Sequence, residues 1–84
     1  FISLIKNRKV SWIILLSAKG AKTFYKNSKM YLNKEDLVNI KFACISSNVA
    51  KQLKAKYLKT FCPKTPNIDY IKKIILKNEG NHGT

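Results

Sequence analysis

Three short apolar runs alternate with stretches of helical spacing, and small polar residues or a proline close each run. The order strand, helix, strand, helix, strand, helix predicts an α/β fold, an alternating strand–helix parallel sheet with right-handed crossovers. The runs are continuous instead of alternating, the pattern of strands buried on both faces of a parallel sheet.

Phe1–Ile5 has the look of a helix end whose own strand lies upstream. Val10–Ser17, VSWIILLS, is the first strand. Ser17 can cap a helix over Ala18–Lys26, with Ala21, Phe24 and Tyr25 on its inner face. Asn27-Ser28 then breaks the pattern, Met30–Leu32 forms an apolar patch in a loop or turn, and Asn33–Leu37 reads as a capped helical turn. Asn39–Ser46, NIKFACIS, is the second strand. Ser46, Ser47 or Asn48 can cap a helix over Val49–Lys56, with Val49, Ala50 and Leu53 inward. Leu58–Cys62 is a third strand, ended by Pro63. Thr65-Pro66 predicts the start of a last helix, Thr as N-cap and Pro at the first helical position. Asp69 suits the positive end of its dipole, and Ile68, Ile71 and Ile75 carry the stripe to about Leu76. Asn78–Thr84 is expected to be a flexible polar tail.

The 84 residues are expected to form one α/β domain, 1–84. Three strands are few for this class, so the sheet is expected to be incomplete, with further sequence before Phe1 and the segment lying in the C-terminal part of a larger chain. No apolar run approaches the roughly 18 residues of a membrane span, and no membrane partner is expected. Asn7-Arg8-Lys9 followed by Val10–Ala18 loosely mimics a signal peptide, but the run fits a buried strand at least as well.

The net charge is +13, from 17 Lys and Arg against 4 Asp and Glu. Such a charge first suggests nucleic acid. Arg8 is the single Arg, however, and the Lys are scattered without a block. Together with abundant Asn and Ile, they also fit a base-biased genome. Nucleic acid is disfavoured, because the aromatics sit in apolar runs instead of alternating with Lys. Cys44 and Cys62 lack a C-x-x-C spacing and read as two buried reduced thiols in a cytosolic core. His82 has no second ligand beside it, so no metal site is expected.

Ligands of an open parallel sheet sit at the carboxyl ends of the strands. Two segments fall there. Ser17, Ala18, Lys19 and Gly20 follow the first strand, and Ser46, Ser47, Asn48 and Val49 follow the second. Each would aim free backbone N–H groups from a helix N-terminus into the crevice, a setting for carboxylates and phosphates. Plain N-capping without a ligand explains the same residues. Dinucleotide and P-loop motifs are absent.

At these turns the chain resembles the C-terminal third of uroporphyrinogen-III synthase. In that family a strand ends in a Ser-Pro-Ser-Gly-like turn, and a second strand ends in Ile-Gly-Pro-Thr-Thr-Ala before a helix with a Leu. The matching pieces are Trp12–Gly20, Ile40–Ala50 with Leu53, and Thr65–Ile75, covering about residues 10 to 77. The resemblance implies a partial flavodoxin-like domain of a two-domain, cytoplasmic, monomeric enzyme. That enzyme closes hydroxymethylbilane to uroporphyrinogen III, inverting the last ring with loss of water, on the route to haem. It implies neither metal nor cofactor, and carboxylates held by backbone amides and hydroxyls at the two turns. The general acid, a Tyr in the family, should lie upstream of Phe1, leaving the catalytic residue of this segment unassigned. The sequence departs from the pattern: Ser46, Ser47, Asn48 and Val49 stand for Gly, Pro, Thr and Thr, and Ala18 stands for Pro. The segment alone is expected to be inactive. Two other readings stay open, a small basic nucleic-acid-binding module and a flavodoxin-like partner-binding domain without chemistry.

Overall fold

The computed structural model describes residues 2–79. The elements are α1 (Ile2–Lys6), β1 (Trp12–Leu15), α2 (Ala18–Tyr31), α3 (Lys34–Leu37), β2 (Lys41–Cys44), α4 (Ser47–Ala50), β3 (Lys59–Phe61) and α5 (Ile68–Glu79). The strands form one parallel sheet in the order β1-β2-β3. The fold is the α/β alternation expected.

The chain enters β1 through a sharp helix end. Arg8 takes a left-handed φ of 59°. Its N–H donates to Ile5 O, and the Lys9 N–H donates to Leu4 O. This is the paired pattern that closes a helix and reverses the chain.

The strands are shorter than the apolar runs, and β1 is not buried on both faces. Ile13 and Leu15 are buried, while Ile14 and Leu16 are 49% and 51% exposed. Parallel register places Ile13 beside Phe42 and Leu15 beside Cys44. These four join Ile5, Ala21, Leu32, Leu37, Ile40, Val49, Leu53 and Leu58 in the main core. Phe24 meets Phe42 edge-on at 5.5 Å, which adds a directional term to area burial. Only β2, in the middle, fits the continuous-run pattern: Phe42, Ala43 and Cys44 are all buried. Ala43 and Ile71 are buried outside the main cluster, where α5 packs on β2. Trp12 ties β1 to this second face, donating from Nε1 to Glu79 and packing 5.4 Å from the Phe61 ring.

Asn27-Ser28 does not break α2. Ser28 is 3% exposed, and its hydroxyl donates to Tyr25 O at 2.8 Å. A back-bond of this kind satisfies a buried hydroxyl inside a helix. Met30 and Tyr31 therefore close the helix instead of forming a loop, and Leu32 turns into the core. The helical turn after Asn33 is present, with the Asn33 N–H donating to Asp36 Oδ2 at 2.8 Å. That bond, with Lys6 nearby, holds the Asp36 carboxyl below its usual range.

Two helix boundaries also move. The expected helix over 49–56 is the single turn α4, after which bonds from Gln52 to Val49 and from Leu53 to Ala50 tighten the chain. This tighter winding delivers Leu53 to the core. The last helix starts at Ile68, not at Thr65-Pro66. Asn67 is the cap: its Oδ1 accepts from the Asp69 N–H at 2.7 Å, and its carbonyl accepts from Tyr70 and Ile71. Asn at this position outranks Thr. Asn78 and Glu79 lie in α5 instead of the expected tail. The rest of that tail, with His82, lies outside the described residues, as does Phe1.

Candidate functional site

The two predicted turns lie side by side. Leu15 and Cys44 are register partners, and the Ile45 N–H donates to Leu15 O at 3.0 Å. The chain leaves β1 and β2 at the same edge, and α2 and α4 pack together.

Each turn begins with an extended Ser. Ser17 has φ −149° and ψ 152°, and its Oγ accepts from the Gly20 N–H at 3.0 Å. Ser46 has φ −152° and ψ 164°, and its Oγ accepts from the Val49 N–H at 3.3 Å. The two Ser carbonyls accept from Ala21 and Ala50. The first N–H groups of a helix have no intrahelical acceptor. Four amides are thus left over at this edge, those of Ala18 and Lys19 in one turn and of Ser47 and Asn48 in the other. Lys19, Ser47 and Asn48 are themselves exposed at this edge.

The eight residues divide by role. Ser17 and Ser46 are spent as caps. Gly20 has given its N–H to Ser17, and a Cβ there would stand 3.0 Å from Ser17 Oγ, so the small residue keeps the cap close. Val49 is 4% exposed, with its side chain in the core and its amide taken. Val49 therefore positions the turn and offers no group to a ligand. A hydroxyl at position 49 would point into the core, so the missing Thr removes nothing from the edge. Ala18 and Ser47 are the first residues of their helices, the place where proline fits best. Ala18, Lys19, Ser47 and Asn48 remain, with backbone amides that the two caps do not take.

Cys62 does not lie in the core as its apolar run suggested. It is exposed, and its thiol donates to Ser46 O at 3.6 Å, linking the end of β3 to the second turn. The register of β2 and β3, read one step past Ala43–Phe61, is the signal that sets Cys62 beside Cys44. Burial, and then the nearby Cys62, push the Cys44 thiol up to about 12 from 9.0. The folded state therefore holds this proton more tightly than the unfolded chain. Its contribution is complete below pH 9 and is lost as the pH rises toward about 12. Unfolding free energy measured by denaturant titration is expected to fall across that window, and Cys44→Ala is expected to flatten the fall.

Among the described residues, no group of three or more His, Cys, Asp or Glu could hold a metal ion. No described helix is long and apolar enough to cross a membrane.

A parallel sheet with helices between its strands, and two serine-capped helix starts at its carboxyl edge, defines a domain of the α/β class. The family model described as uroporphyrinogen-III synthase HemD matches residues 1–71. The chain belongs to that family. Comparison with curated proteins and with solved structures gave no match.

Proposed function

We propose that this chain supplies the sheet edge on which a uroporphyrinogen-III synthase holds hydroxymethylbilane while its last ring inverts and closes. The observation that carries the reading is the pair of adjacent turns with four unspent amides, in a chain of this family. Each substrate carboxylate replaces lost hydration with charge-assisted bonds to N–H groups and with the favourable ends of α2 and α4. Lys19 adds charge, and Asn48 donates where the family pattern has Thr. Catalysis in this reading is mainly positional: a reactive linear chain is held so that the inverted closure outruns the spontaneous one. An acid must assist loss of the hydroxyl, and a residue outside this segment supplies it. The segment works as part of a larger, two-domain, monomeric protein in the cytosol.

The test is product analysis. The complete polypeptide carrying this segment is expected to turn hydroxymethylbilane into the type III isomer in excess over type I. The 84 residues alone are expected to give type I only.

A further inference from the structure

A third feature lies at the same edge of the sheet. Where the chain leaves β3 and enters α5, it encloses an open cavity of about 490 Å³. That size is in the range of small-molecule sites. Its composition is uneven in a useful way. Pro63 and Ile74 give it an apolar wall, Lys64 and Lys73 bring two ammonium groups, and Thr65 and Tyr70 bring two hydroxyls. Among the described residues, no carboxylate lines it. Among the described residues the ion pair is Lys6–Asp36, on another part of the surface, so neither of these lysines is neutralised. The Lys73 Nζ sits 5.2 Å from the Tyr70 ring centroid, which holds that charge beside an aromatic face. Cys62 also lines the cavity and touches Ser46 O at 3.6 Å. The cavity therefore neighbours the second turn through Cys62.

We propose that this cavity is a further binding subsite, for a five-membered aromatic ring carrying two short carboxylate arms. The flat ring lies against Pro63, Ile74 and Tyr70. One arm pairs with Lys64 and Thr65, the other with Lys73 and the Tyr70 hydroxyl. This inference deepens the synthase reading and rests on it for the identity of the ring, one pyrrole unit of the tetrapyrrole. The subsite differs in kind from the two serine turns. Those offer chiefly backbone amides, which a neutral substitution leaves in place, whereas this one offers side chains that can be removed singly.

The experiment has two arms, both on the complete polypeptide. In the kinetic arm, Lys64→Gln and Lys73→Gln are each expected to raise KM for hydroxymethylbilane about fivefold, the upper end for one exposed charge. The double variant is expected to raise it about twentyfold, with kcat held within about twofold. Lys26→Gln, on exposed α2, removes the same charge elsewhere and is expected to leave KM unmoved. In the binding arm, a monopyrrole bearing one acetate and one propionate group is titrated into labelled protein. Amide resonances of Lys64, Thr65 and Lys73 are expected to move, and the double variant is expected to abolish the movement. An unmoved KM in the double variant, or an equal rise in Lys26→Gln, overturns the subsite. Formation of type III isomer would continue in that case, so the synthase reading would stand. Movement of those amides in a protein that forms only type I supports the subsite and sinks the synthase reading instead.

Discussion

Phe42→Ala is expected to destabilise the fold by about 3–5 kcal/mol, the range for emptying a fully buried aromatic site. Phe42 has 0% exposure and is the largest of the fully buried side chains. It stands on the central strand, beside Ile13 in register and edge-on to Phe24. Its ring thus joins β1, β2 and α2 at one point. Ordinary domains have only about 5–15 kcal/mol in total, so the loss is a large share. Urea unfolding followed by far-UV circular dichroism reads it as a lower midpoint at unchanged slope. A loss under about 1 kcal/mol would mean that the cluster closes over the gap and that Phe42 does not organise the core.

The second large effect lies on the other face. Ile71→Asp is expected to cost about 3–5 kcal/mol, since it leaves a carboxylate buried without a partner. Ile71 is 1% exposed and belongs with Ala43, apart from the main cluster. The two core regions are therefore expected to respond differently. Hydrogen exchange should quicken first in α5, while the β2 amides stay protected. The cavity formed with Tyr70, Lys73 and Ile74 should be lost at the same time. Equal quickening in β2 and α5 would instead show one cooperative unit. Phe42→Ala is expected to loosen α2 and the sheet together.

The alternation of strands and helices was legible because each apolar run carries strand formers and each turn begins with a capping residue. Exposure was harder to read. WIILL looks uniformly buried, yet Ile14 and Leu16 are about half exposed. An edge strand and a central strand can share one composition, since neighbours decide burial, and β2 has strands on both sides while β1 has one. Local polarity misled at Ser28, where a back-bond to Tyr25 lets a polar residue continue α2. Asn67, two residues after the expected cap Thr65, takes the cap instead, a choice that spacing alone does not resolve. The two turns were placed correctly from sequence, but the division of labour within them was not. Val49 becomes a core residue because its side chain points inward from a helix that is only one turn long. The Cys62 contact and the β3–α5 cavity depend on strand register and on where α5 docks, neither of which a linear pattern encodes.

The most direct test is the isomer analysis of the complete polypeptide with hydroxymethylbilane, in parallel with a variant carrying Lys19→Glu and Asn48→Asp. The unmodified protein should give mainly type III. The variant puts two carboxylates where four amides are meant to receive the substrate's own, so its product should fall back toward type I while its unfolding free energy stays within about 1 kcal/mol of the parent, as expected for exposed positions. Type III formed equally by both proteins would contradict the placement of the substrate on this edge. Type I alone from the unmodified protein would contradict the synthase reading itself.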